Sequence, residues 1–293
     1  MKKIKKNWVT ILLVILALSG AGLLAYPTFA DWWNSFHQSR AVASYADTVA
    51  NMDTSEYDKI FESAEAYNAG ITKTGVRWKM TEEERELYNQ ELDITGTGIM
   101  GYIEIPIIKV LLPIYHGTNE SVLQIATGHL EGSSLPVGGT GTHTIVSGHT
   151  GLPSATLFTN LDDLVVGDTW TITVLNRTLT YEVDQIRTVE PYDLSNLQID
   201  PDMDYCTLVT CWPIMRNTHR LLVRGHRIDN AQGEATVLPD AMQIRAIYIA
   251  PFIAAPVLLL LILIMLISTG HRGREKKKKK KASDEVPDMK KAA

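Results

Sequence analysis

Polar and apolar positions give the chain four textures. Lys2, Lys3, Lys5 and Lys6 precede an uncharged run, rich in Leu, Ile, Val and Ala, from Trp8 to about Ala30, closed by Asp31. Residues 35–92 carry a helical pattern, clearest where Asp53 leads into Tyr57, Ile60, Phe61, Ala64 and Tyr67 at a 3.6-residue period. This stretch is expected to end at Gly70. A capping box, Thr81-Glu-Glu-Glu84, should open a short helix reaching about Leu92, with residues 71–80 forming a loop that carries Arg77, Trp78 and Lys79. From Gly96 the pattern changes to short apolar or alternating segments: Gly101–Ile105, Val110–Ile114, Thr144–Val146, Thr169–Val174, Thr178–Val183, Tyr205–Thr210 and Leu221–Val223. Gly138-Gly139, Val166-Gly-Asp168 and Asn176-Arg177 punctuate them, which predicts an all-β barrel or sandwich with a hairpin at Asn176-Arg177 and one short helix near Ser154 to Phe158. A second uncharged run spans about Ala246 to Ser268, ahead of Arg272, Arg274 and Lys276 to Lys281.

Both uncharged runs match the roughly 20 residues of helix that cross a bilayer's hydrocarbon core. The first also has the form of a secretory signal, although it is long for one. Charge distribution orients the pair. Four lysines and no acids precede Asp31, and ten basic against four acidic residues follow Arg245. Of 28 basic and 33 acidic residues, 14 and 29 then remain between the runs, so the formal net charge of −5 divides into −15 in the middle and +10 at the two ends. The positive-inside rule therefore predicts cytoplasmic termini and an outer middle segment. The lysine run reads as a stop-transfer flank touching anionic lipid, and the acidic middle segment argues against nucleic acid as a partner. Trp32-Trp33 fits an interfacial belt.

The cysteines carry the sharper chemistry. Cys206 and Cys211 fall in one apparent strand, ~16–17 Å apart and on opposite faces. A disulfide needs Cα atoms within about 7 Å, so the two thiols cannot pair. Cys206 sits mid-strand and reads as packing. Cys211 ends the strand ahead of Trp212-Pro213, at a sheet rim, and is a nucleophile candidate. His149, flanked by glycines in Ser147-Gly-His-Thr-Gly151, is the candidate base. Arg220 lies nine residues beyond Cys211 at the start of the next strand, which should return it beside the thiol as an oxyanion donor. His116, His129 and His143 have no usual zinc spacing and read as residues that satisfy turns. His219 reads as a surface neighbour of Arg220. No cofactor or metal is expected.

Thr207-Leu-Val-Thr-Cys211, Asn217-Thr-His-Arg-Leu-Leu-Val-Arg-Gly225 and Ser147-Gly-His-Thr-Gly-Leu-Pro153 together resemble a sortase. Gly101-Tyr-Ile-Glu-Ile-Pro106, Leu112-Pro-Ile-Tyr-His-Gly117, Gly128-His-Leu-Glu-Gly-Ser-Ser-Leu-Pro136 and Leu157-Phe-Thr-Asn-Leu161 extend the likeness. With the helical extension and the second span, it is similar to the class C, pilin-polymerising sortases of Gram-positive bacteria over about residues 35–268. The resemblance implies a mainly β fold, an eight-stranded barrel with an N-terminal helical extension and flanking membrane helices. It divides the chain into a cytoplasmic N-terminus (1–7), a membrane or signal-anchor helix (8–30), an extension (31–95) with a lid loop (71–80), a catalytic barrel (96–235), a second membrane helix (246–268) and a basic cytoplasmic tail (269–293). It implies that Cys211 cleaves the Thr–Gly bond of an LPxTG-like signal, that His149 shuttles the proton, that Arg220 holds substrate and oxyanion, and that a Lys amine of another pilin resolves the thioacyl enzyme.

Two positions depart from that pattern. The family's lid carries an Asp-Pro-aromatic motif, where this chain has Gly75-Val-Arg-Trp-Lys79. Trp78 is left as the aromatic plug without an acidic anchor. A looser or differently held lid is expected, so that Trp78→Ala should change activity little. Trp212 stands where a small Thr is common and should reshape the subsite beside the thiol. The alternatives are a sortase that anchors proteins to a peptidoglycan precursor, a papain-type thiol hydrolase (disfavoured because His149 precedes Cys211) and a non-catalytic assembly scaffold.

Overall fold

The computed structural model describes residues 4–76 and 78–230, so the second apolar run and the basic tail lie outside the described residues. The chain divides into two compact units; one takes in the chain up to Phe29, and the other, Ala30–Met242, contains the barrel.

The first helix, α1 (Ile4–Ala50), does not stop at Ala30 and holds Pro27 in its interior. Its early side chains, among them Leu12, Leu13, Leu16, Leu23 and Leu24, are exposed, and this part is long and apolar enough to cross a membrane. Further on, one face becomes a buried stripe of Val42, Tyr45 and Val49. Packing of that stripe sustains the helix where hydropathy alone predicts a boundary.

The second helix, α2 (Thr54–Thr74), is capped by Asp53, whose side chain accepts from the Ser55 N–H at 2.9 Å. It runs through Gly70 and ends four residues later. A mid-helix glycine costs only about 1 kcal/mol, and burial of Asn68 and Ile71 on the inner face carries the helix past it. Gly75, at φ 78°, closes it by donating its N–H to Ile71 O. The loop expected over 71–80 is therefore shorter and begins at Gly75. The third helix, α3 (Glu82–Gln90), opens on the full capping box of Thr81 and Glu84.

Eight strands follow: β1 (Ile99–Ile105), β2 (Val110–His116), β3 (Thr127–His129), β4 (Thr142–Ser147), β5 (Thr169–Val174), β6 (Arg177–Val189), β7 (Asp204–Trp212) and β8 (His219–Ile228). They close into a barrel in the order β1-β2-β3-β4-β7-β8-β6-β5, with β2·β3 and β4·β7 parallel and the rest antiparallel. One further helix, α4 (Glu120–Leu123), precedes β3. The short helix expected near Ser154 is a chain of turns, with a single 3-10 turn further on at Leu161–Asp163. The β5–β6 hairpin pairs Val174 with Arg177, which makes Leu175-Asn176 the turn, one residue earlier than expected. Leu175 takes the positive φ that such a turn demands.

Trp170, Ile172, Tyr181, Cys206, Leu208 and Val223 fill the barrel, all essentially inaccessible. The helical extension is bonded to this body at defined points. Tyr45 OH donates to Met100 O and accepts from the Leu175 N–H, both at 2.9 Å. The Asn68 amide bonds both backbone groups of Leu135. Tyr88 OH meets His129 Nδ1 at 2.9 Å and accepts from the Gly117 N–H.

The buried histidines satisfy backbone groups. His129 Nε2 lies 2.8 Å from Ser134 O, a group that can only accept, so Nε2 carries the proton and Nδ1 accepts from Tyr88. His143 is the reverse case, with Nδ1 donating to Gln198 O at 2.8 Å and Nε2 accepting from Thr207 Oγ1 at 2.7 Å. Burial pushes both rings down from 6.5 to about 4. Below 6.5 the unfolded chain binds the protons that the folded chain refuses. Each ring's contribution is therefore intact above pH 6.5 and declines as pH falls towards 4, with a loss of about 2 kcal/mol per histidine already by pH 5. The thermal midpoint followed by circular dichroism should fall steeply between pH 6.5 and 5, and His143→Gln should remove part of that slope. A flat profile over that range would contradict the assignment of neutral buried rings.

Candidate active site

Strand parity separates the two thiols. Cys206 points into the barrel and is fully buried, with Trp170 at its sulfur, and burial drives its thiol far above the ordinary range. Cys211, five residues on, lies on the outer face near the end of β7 and is half-buried. In the antiparallel β7–β8 ladder Cys211 is directly opposite Arg220, and Trp212 is opposite His219. Side chains of directly opposed residues share a face with Cβ atoms roughly 5 Å apart. The return of Arg220 to the thiol, expected from nine residues of separation, is thus a matter of register.

His149 arrives from the other side. The parallel β4–β7 ladder pairs Ser147 with Val209, and continuing that register two residues brings position 149 alongside position 211. The link between the strands persists beyond the ladder: the Gly148 N–H donates to Val209 O at 3.0 Å and Thr210 Oγ1 donates to Gly148 O at 2.8 Å. His149 O accepts from the Phe158 N–H, and the Phe158 ring packs on Gly148 so closely that a β-carbon there would lie 2.6 Å from it. Only glycine allows that approach. The three residues singled out in the sequence therefore lie at or just beyond the ends of three adjacent strands.

The site contains groups that sequence reasoning did not find. Glu120 Oε2 is 3.7 Å from His149 Nε2. Asp31 accepts from both N–H and Oγ1 of Thr156, Asn34 donates to Ser154 O, and Gln38 donates to Ile125 O. The stretch of α1 from Asp31 to Gln38 thus grips the loop that follows His149 and the α4 segment before β3. No spacing rule links residues 31–38 to residues 120–156, so these contacts have no sequence signal.

Along the outer face below the three residues runs an apolar strip. Ile145, Leu197 and Leu222 form its buried base, with Leu130, Val189, Leu194 and Val209 around it, and Trp78 packs onto the same cluster. Trp78 is half-buried there. The 75–80 loop is thus held by the packing of Trp78 on the strip. Arg220 is occupied meanwhile, its Nη1 donating to His219 O at 2.9 Å and Asn217 O at 3.3 Å. Its fork retains further N–H donors for a ligand. Among the described residues no group of His, Cys, Asp and Glu could hold a metal ion. His116 is engaged with the backbone carbonyls of Gly98 and Glu91, and His219 is exposed beside Thr218.

The contrast between the thiols has a direct test. A small alkylating reagent applied to the native chain should modify Cys211 alone, and Cys206 should react only after denaturation. Equal native labelling at both positions, read by peptide mass spectrometry, would contradict the opposed faces.

Residues 103–228 match the Sortase domain family. Sortase D of Bacillus subtilis (strain 168) is 28% identical over 131 residues, which cover 44% of this chain and 63% of that protein's length. Among solved structures, sortase C1 from Streptococcus agalactiae is 58% identical, with a TM-score of 0.65, covering 66% of this chain and all of the other. Sortase C-1 from Streptococcus pneumoniae is 40% identical, with a TM-score of 0.57 and coverages of 66% and 100%. A lid mutant of sortase A from Corynebacterium diphtheriae is 43% identical, with a TM-score of 0.58 and coverages of 62% and 98%. With a barrel of this order and class C sortases among its structural neighbours, the chain belongs to the sortase family of enzymes.

Proposed function

We propose that this chain is a membrane-held cysteine transpeptidase that joins pilin subunits, with Cys211, His149 and Arg220 as its catalytic residues. The observation that carries the reading is the register placing Cys211 opposite Arg220 on the strand that also bonds the His149 loop. In this reading the Cys211 thiol passes its proton to His149 and the sulfur attacks the Thr carbonyl of an LPxTG-like signal. The carbonyl electrons move onto oxygen, where Arg220 N–H donors meet the developing charge. Collapse breaks the Thr–Gly C–N bond, and His149 gives its proton to the departing amine. A thioester remains on Cys211. A Lys amine of a second pilin then attacks it, His149 takes the proton, the thiolate leaves and an isopeptide bond forms. The apolar strip of Ile145, Leu197 and Leu222 suits the Leu and Pro of such a signal. That strip is the surface Trp78 covers, which makes the lid a competitor of the substrate.

The exposed apolar portion of α1 supports a membrane anchor. The basic flanks support cytoplasmic termini with the barrel outside. The divisions stated from the sequence, 1–7, 8–30, 31–95, 96–235, 246–268 and 269–293, are kept within this proposal, with the lid taken from Gly75 to Met80.

Incubation of the full chain with an LPxTG peptide should give a thioacyl adduct at Cys211, detected by mass spectrometry and absent in Cys211→Ala. Added pilin should convert it into an amide at a lysine. Transfer only to a peptidoglycan-type amine would favour the anchoring alternative, and no adduct from a folded chain would favour a scaffold. Arg220→Ala should lower kcat by about 10²–10³-fold, and Lys at that position should not restore it. Gly148→Ala should cost on the order of 10-fold or more in kcat, because Phe158 must move and His149 with it. Trp78→Ala, expected from the sequence to have little effect, should instead raise kcat/KM several-fold by uncovering the strip. An unchanged value would show that the ring does not compete with substrate.

A further inference from the structure

We infer that Glu120 is a positioning residue for His149, fixing the tautomer of the ring by accepting its Nε2 proton. The inference rests on the catalytic reading of His149 and deepens it. Nε2 is buried and finds no hydrogen-bond partner among the described residues. A buried ring nitrogen without a partner is costly, and a proton on it needs an acceptor. An acceptor stands close by: Glu120 Oε2 at 3.7 Å, slightly beyond hydrogen-bond range. The other oxygen of the same carboxylate is tied down, Oε1 accepting from Gln124 Nε2 one helical turn on. Glu120 is itself largely exposed, so a small rotation of its side chain closes the gap without disturbing the core.

The segment that carries Glu120 is anchored at both ends. The Gly117 N–H donates to Tyr88 OH, and Ile125 O accepts from Gln38. His149 is held independently through Gly148 and Phe158. Two separately fixed loops thus bring a carboxylate to one nitrogen of the ring. With Nε2 protonated towards Glu120, Nδ1 is left as the nitrogen that exchanges a proton with the thiol or the amine. A carboxylate also stabilises the imidazolium that forms whenever Nδ1 takes a proton. The charged group at the ring is Glu120 from α4, while Arg220 of β8 stands opposite Cys211 of β7 in the strand register. An acid that orients a histidine gives both half-reactions the same ready base.

The test uses the full chain in detergent, labelled with 15N-histidine, and a fluorogenic LPxTG peptide with or without a lysine peptide as acceptor. The wild-type His149 ring, assigned by loss of its signals in His149→Asn, should show the Nε2–H tautomer. Glu120→Ala should mix the tautomers and slow thioacylation and aminolysis alike, by on the order of 10-fold in kcat with KM unchanged. Glu120→Gln, which keeps an acceptor oxygen, should retain the tautomer and recover most of kcat. An unchanged tautomer and unchanged rates in Glu120→Ala would overturn the inference. Slowing of aminolysis alone would also overturn it, pointing to an ammonium-binding role. Persistence of a thioacyl adduct in Cys211→Ala would instead defeat the catalytic reading, whatever Glu120 does.

Discussion

Everything at the site depends on the register of β7 between β4 and β8. A strand's side chains alternate between faces, so a slip of one residue would turn Cys211 inward and Cys206 outward. Several constraints prevent it. Cys206 and Leu208 are locked into the barrel core, and opposite Cys206 stands Gly225, where a β-carbon would come within 2.6 Å of the Trp170 ring. At the start of the strand the Asp204 carboxylate accepts from the Gly139 N–H, from Tyr181 OH and, less closely, from Thr142 Oγ1. At its end Thr210 bonds Gly148 O. Inside, outside and both ends therefore agree on one alignment. That alignment sets Arg220 against the thiol with no dedicated contact between them being required.

The outer face of β7 is also kept ordered. Below Cys211 come Val209 in the apolar strip, Thr207 bonded to His143, and Tyr205 beneath the Arg224 guanidinium at 4.1 Å from its ring centroid. Arg224 in turn makes a two-pronged pair with Asp184 of β6. His143 bonds Gln198 O, which ties the β6–β7 connection to the barrel wall. That connection supplies Leu194 and Leu197 to the strip. The walls of the apolar strip are thus fixed by a polar network on the same face, deeper along the strands.

How much of this the sequence revealed follows from how local each determinant is. β5 was legible to the residue because alternation filled it and turn residues bounded it at both ends. β6 outran its prediction by six residues: beyond Val183 a bulge at Asp184 shifts the register, and the polar Gln185, Arg187 and Thr188 pair with β8 without a buried face to mark them. β3, three residues of Thr-Gly-His, has no alternation to detect. Cys211, Arg220 and His149 could be singled out because strand ends, a proline stop and flanking glycines are local signals. Glu120 could not, since its relation to His149 exists only through the closed barrel. Gly70 misled for the opposite reason: its weak local preference was overridden by burial of Asn68 and Ile71 on the same helix.

The same distinction explains why the helical extension belongs to the site. A barrel rim leaves the loops after β4 and before β3 without strand neighbours, and such loops are the mobile parts of a fold. Here their backbone carbonyls and N–H groups are taken up by side chains from α1 and α3: Ser154 O by Asn34, Thr156 by Asp31, Ile125 O by Gln38, and the Gly117 N–H by Tyr88. Each bond is worth only about 1 kcal/mol net, too little to matter greatly for the fold as a whole. Their effect is on position, because all four act on the two loops that present His149 and Glu120. The barrel fixes Cys211 and Arg220 by register, and the extension fixes the histidine side of the site by capping loops that register cannot reach.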